Sequence, residues 1–85
     1  MNEIFATEFS KELKKIRLRM SCSQVQFCER INVPTGTYSA WETGRFLPSV
    51  KSFSNVCSML KDINVDEFEI VSLKNKYYNL KVAEK

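Results

Sequence analysis

Residues 33–44, VPTGTYSAWETG, set four hydroxyls, those of Thr35, Thr37, Ser39 and Thr43, among Gly36 and Ala40, with only Tyr38 and Trp41 bulky. A hydroxyl can both donate and accept a hydrogen bond, and small neighbours let a partner come close. The run is therefore suited to binding. Acid–base work would call for two carboxylates or a carboxylate–histidine pair within reach, and the chain contains no histidine. No glycine-rich phosphate loop occurs, and no nucleophile has a base near it in the chain. Cys22, Cys28 and Cys57 form no CxxC and offer no common zinc spacing. They read as small buried thiols of a reducing compartment. Cys22 has a competing reading as a redox sensor, because a helix N-terminus beside it would lower its pKa. The expectation is a protein that is not an enzyme and needs neither metal nor cofactor.

The totals agree with a binding role. Eighty-five residues make one small unit, and two glycines with two prolines leave too few turns for a sandwich of short strands. No apolar run approaches the ~20 residues of a membrane span, and the N-terminus lacks a signal-peptide pattern. The expected location is cytoplasmic, with no membrane partner. The net charge is only +3, but it is unevenly spread. Residues 11–61 carry nine Lys or Arg against Glu12, Glu29 and Glu42, a net of +6, between mildly acidic ends. A basic body suits a polyanion, although a solvated lysine face would give the same count.

Apolar spacing supplies the elements that must position the run. Phe5, Phe9, Leu13, Ile16 and Met20 fall on one stripe of a first helix over about residues 4–20. Ser23 and Gln26 form a capping box opening a second helix, with Val25, Phe27, Cys28 and Ile31 apolar, and Asn32 ends it as a left-handed residue. Pro34 opens a third helix, which covers Thr35 to Glu42 or Thr43 and stops at Gly44. Ser49 caps a fourth, whose inner stripe is Val50, Phe53, Val56, Cys57 and Leu60. Asp66 and Glu69 repeat the box pattern before a fifth, although FEIVSL and KYYNLKV also have strand-like composition.

The ordered set Arg17, Ser23–Gln24, Cys28, Val33, Tyr38–Ser39, Trp41–Glu42, Gly44 and Pro48 resembles the helix-turn-helix domain of the Cro and lambda-type repressors, the XRE family. The likeness is strongest over residues 16–49 and extends more weakly over residues 9–65. It implies an all-α, five-helix, lambda-repressor-like fold that binds double-stranded DNA. By this resemblance Arg17 and Glu42 are an ion pair joining the first and third helices. Gln24 bonds a DNA phosphate while buttressing the next helix. Thr35, Gly36, Ser39 and Ala40 face base edges in the major groove, where hydroxyls can bond several bases and methyls can meet thymine. Thr37 and Thr43 lie nearer the backbone, and Arg45 reaches a phosphate. The chain departs from the family at Thr35, Gly36 and Ala40, where many relatives carry Gln, Arg or Asn. Pro34 stands where a serine or threonine cap is usual. Modest base specificity follows, with affinity resting on phosphates and DNA shape.

Repressors of this class commonly bind as dimers on inverted half-sites. The division expected here is a DNA-binding unit over residues 1–65 and a C-terminal helix over residues 66–85. The stripe Ile70, Leu73, Tyr77 and Leu80, with Phe68, Val71, Tyr78 and Val82 beside it, serves either as a homodimer seam or as the completion of the core. The leading reading is a DNA-binding transcriptional regulator, a repressor ahead of an activator. The competing one is a protein-interaction module on the same scaffold, such as an antitoxin or phage-borne inhibitor, holding a protein partner.

Overall fold

A computed structural model describes residues 7–83. Five helices follow in order: α1 (Thr7–Arg19), α2 (Gln24–Ile31), α3 (Thr35–Glu42), α4 (Val50–Asp62) and α5 (Glu67–Ala83). Among the described residues there is no strand, and both segments of strand-like composition lie in α5. The expected start of the first helix at Ile4, with Phe5, lies outside the described residues, as does the side chain of Val82.

The helix ends follow local chemistry. The Ser23 hydroxyl accepts from the Gln26 N–H at 3.1 Å, and the Gln26 side chain accepts from the Ser23 N–H at 2.9 Å. Both halves of that capping box are made. Asn32 closes α2 in the left-handed region at φ 60°, a conformation open to asparagine because its short polar side chain tolerates it. At α4, Ser49 accepts from the Ser52 N–H at 3.1 Å. The box expected at α5 does not form, although Asp66 still caps the helix. Asp66 accepts from the Phe68 N–H at 3.0 Å, while the Glu69 carboxylate turns to the Arg19 guanidinium, also at 3.0 Å.

One core joins all five helices. Phe9, Leu13 and Ile16 of α1 meet Phe27, Ile31, Tyr38, Trp41, Phe53 and Leu60, and also Ile70, Leu73 and Tyr77 of α5. α1 packs on α5 and α3, α2 on α3 and α4, and α4 on α5. This corrects the dimer-seam expectation for Ile70, Leu73 and Tyr77. They are 6%, 0% and 0% exposed within the single chain, so no second copy can reach them. Leu80, half-buried, packs against the same cluster. Tyr77 does not keep a wet hydroxyl either, because it donates to the Pro48 carbonyl at 2.7 Å in a buried site. Its ring stacks on Phe53 with centroids 4.0 Å apart. Residues 66–83 therefore belong to the same core as the first four helices.

A second correction concerns Val50, assigned to the inner stripe of α4 but more than half exposed. It sits in the first turn of that helix, one turn before the buried Phe53. Cys28 and Cys57 are buried as expected, whereas Cys22 is only partly so.

Candidate nucleic-acid interface

α3 shows two faces because its two large rings point one way. Tyr38 is fully buried and Trp41 is 5% exposed. Tyr38 meets Phe27 of α2 edge-on at 5.5 Å and Trp41 at 6.2 Å. Each such ring contributes about 2–3 kcal/mol by leaving water. The Trp41 carbonyl accepts from the buried Ser10 hydroxyl of α1 at 2.8 Å, which fixes the helix lengthwise as well. Thr35, Gly36 and Thr37 then stand exposed, and Ser39 is half-buried.

Gly36 has a particular character. A Cβ added there would meet no atom within 4 Å. Glycine in a helix is less stable than alanine by roughly 0.5–1 kcal/mol, so a glycine with open space around it is not explained by internal packing. Close approach of an outside partner would explain it.

Ala40, expected to face base edges, does not belong to this outer face, being only 9% exposed. The chain reverses at Gly44, where φ is 82°, and returns over the end of α3. The Arg45 and Phe46 N–H groups both donate to the Ala40 carbonyl. Thr43 is exposed, with its hydroxyl donating within reach of the Ser39 and Ala40 carbonyls at 3.0 and 3.2 Å. Arg45 is exposed just beyond, its guanidinium 5.9 Å from the Phe46 ring centroid.

At this same C-terminal end of α3 lies a polar cluster centred on Glu42. Arg17 grips its carboxylate with two nitrogens, Nε to Oε2 at 2.6 Å and Nη2 to Oε1 at 3.2 Å. Gln24 donates from Nε2 to Oε1 at 3.0 Å, and the Tyr38 hydroxyl donates to Oε2 at 2.5 Å. Arg17 also donates to the Cys22 carbonyl at 2.9 Å, reaching the turn before α2. Burial pushes the Glu42 carboxyl up, but the bonds from Arg17, Tyr38 and Gln24 outweigh it and hold it below its ordinary range. The bond to Glu42 raises the Arg17 guanidinium further. Burial, then the neighbouring carboxylate, pushes the Tyr38 phenol up. A carboxylate with four donors in a nearly closed pocket is already satisfied, so it cannot act as a proton shuttle.

Sequence reasoning brought Arg17 and Glu42 together correctly and placed Gln24 nearby. It missed the Tyr38 hydroxyl in the cluster, although the spacing of four between Tyr38 and Glu42 puts them one helical turn apart. The Gln24 amide has two N–H donors, so one remains after Glu42 is served. It stands at the N-terminus of α2, where the first N–H groups have no partner within the helix. α3 begins after Pro34 with no side-chain cap at all. Both helix starts therefore offer free donors.

Two short helices joined by the three-residue turn 32–34, the second held by its inner face with its outer face bare, define a helix-turn-helix domain. A family model described as helix-turn-helix matches residues 13–68, and the chain belongs to that family, the XRE or lambda-repressor-like group of DNA-binding regulators. The five-helix fold is its fold. No curated protein and no solved structure matches the chain significantly. Among the described residues, no helix is long and apolar enough to cross a membrane, and no group of histidine, cysteine or acidic residues is placed to hold a metal.

Proposed function

We propose that this chain is a transcriptional repressor that binds an operator as a homodimer, each copy inserting α3 into the major groove. It performs no catalysis and works inside the cell. Thr35, Gly36 and Ser39 approach base edges, Thr37 and Thr43 the sugar–phosphate wall, and Gln24 and Arg45 phosphates. The observation that carries this reading is Gly36, whose open surroundings give it no internal purpose on an otherwise well-anchored helix. The Glu42 cluster supports it by fixing the Gln24 amide against the end of α3 before DNA arrives, so little order is lost on binding.

With no glutamine or arginine on the face, no bidentate base contact is available, and each such pair is worth ~1–3 kcal/mol. Affinity leans instead on phosphates and groove shape. Selection from a randomised duplex pool at near-physiological salt tests this directly. Enrichment of an inverted repeat is the expected result. Salt-sensitive retention without any enriched sequence would remove operator recognition, and no retention at low salt would transfer the face to a protein partner.

A further inference from the structure

α4 and α5 leave between them an open groove of about 640 Å³, within the range of ~300–1,000 Å³ usual for small-molecule sites. Its floor is recessed and apolar, with Phe53, Cys57 and Ile70 exposed by only 1%, 7% and 6%. The α5 rim carries two half-exposed apolar side chains, Val71 and Tyr78. Tyr78 is held in place, edge-on to Phe53 at 6.1 Å and to Tyr77 at 5.0 Å. A ring so pinned is preorganised for contact, since little rotamer freedom is left to lose.

Two cations flank this apolar centre, Lys61 from α4 and Lys74 from α5. Both are exposed, and among the described residues neither is engaged in an ion pair. Burial pushes the Cys57 thiol up and the Lys74 ammonium partly offsets that, so its charge is felt at the groove floor. Ser58 and Asn64 add a hydroxyl and an amide that can donate hydrogen bonds. Glu67 is the one carboxylate in the lining, two helical turns from Lys74 along α5. Two lysines against one glutamate leave the lining with a net charge of +1.

These features select an occupant. A recessed floor admits a slender molecule, and its apolar side chains favour a hydrocarbon or aromatic body. A cation would be opposed by both lysines, and a neutral apolar molecule would leave them unused. The net of +1 matches a monoanion, hence a carboxylate and not a phosphate monoester, which carries nearly two charges at neutral pH. We infer that the α4/α5 groove binds a small amphipathic carboxylate, its head between Lys61 and Lys74 and its apolar body along Val71 and Tyr78. None of the lining residues belongs to α3, so the assignment does not rest on the operator reading above.

Calorimetric titration of the full chain with sodium octanoate, beside octanol and acetate, is the deciding experiment. One saturable octanoate site per chain is expected, with a dissociation constant below about 1 mM. Octanol lacks the charge and acetate lacks the body, so each should bind at least about tenfold more weakly. The double variant Lys61→Gln, Lys74→Gln should weaken octanoate at least about tenfold, as loss of a charge-assisted hydrogen bond does, and leave octanol unchanged. Both lysines are exposed, so the helical circular dichroism should stay the same. The amide resonances of Cys57, Val71 and Tyr78 should shift during the titration. Octanol as tight as octanoate, octanoate indifferent to the double variant, shifts centred elsewhere, or no saturation up to about 10 mM would each overturn the assignment.

Discussion

Glu42 acts through its partners at both ends of the pH scale. Its carboxyl is held below its ordinary range, so its contribution to stability is complete above the unfolded-chain value of about 4.3 and is lost as pH falls through the folded value. Tyr38 is shifted the opposite way. Its contribution is complete below about pH 10 and declines as pH rises beyond that toward the folded value. Thermal melting across pH should show an acid limb that flattens in Glu42→Gln and an alkaline limb that flattens in Tyr38→Phe. Near neutral pH, Tyr38→Phe removes a hydrogen bond to a charged group and should cost about 1.5–3 kcal/mol. An acid limb unchanged in Glu42→Gln would mean that other carboxylates govern acid unfolding. Gly36 separates fold from function at the same scale. Since a methyl there meets nothing, Gly36→Ala should stabilise the free chain by roughly 0.5–1 kcal/mol. The same methyl should weaken operator binding if DNA approaches closely. Melting and duplex titration of one sample check both, and tighter binding by the variant would remove the close-approach argument.

Among the elements, α5 is the one whose place the spacing of its residues left open. Apolar positions at three and four apart show that Ile70, Leu73 and Tyr77 share a face, but burial against the same chain and against another leave the same periodicity. What decides between them is supplied far away in sequence, by Phe9 of α1 and Phe53 of α4, which meet the Tyr77 ring at 5.7 and 4.0 Å. The short elements were more legible because their causes are local. Ser23 with Gln26, Asn32, Ser49 and the Val33–Pro34 step each act within a few residues, and α2, α3 and α4 begin where those residues place them. Ala40 was misplaced because its covering comes from the chain that reverses at Gly44, and no helical spacing encodes that return. Glu12 was legible only as a charge. It is in fact 4% exposed and tied to Lys76 of α5 at 2.9 Å. The shared core carries a prediction of its own. Burying Ile70, Leu73 and Tyr77 contributes about 1.5–3 kcal/mol each, against a total stability of ~5–15 kcal/mol for a domain. A chain ended after Val65 should therefore show no cooperative melt by calorimetry, and a sharp transition in that fragment would make α5 an appendage.

At the scale of the whole molecule, the proposed pairing and DNA contact must fit one geometry. The backbone of one copy extends 32 × 24 × 21 Å, so two copies in contact can place their α3 helices about one turn of B-DNA apart, ~34 Å. Such a dimer presents every phosphate contact twice, and salt dependence can count them. Each phosphate neutralised contributes about −0.9 to the slope of log affinity against log salt. Arg45 is the cation placed just past α3, exposed and with its guanidinium over the face of Phe46. If it meets a phosphate in both copies, Arg45→Ala should make the slope shallower by about 1.8, and by about 0.9 if a single copy binds. Affinity should fall for all sequences alike, since a phosphate contact positions the protein without reading bases. Thr35→Ala should do the reverse, altering the preferred sequence while leaving the slope unchanged. Titrations of both variants at several salt concentrations separate the two kinds of contact. A slope unchanged in Arg45→Ala would place the phosphate contacts elsewhere on the basic body of the chain, where Lys11 and Lys14 of α1 are exposed.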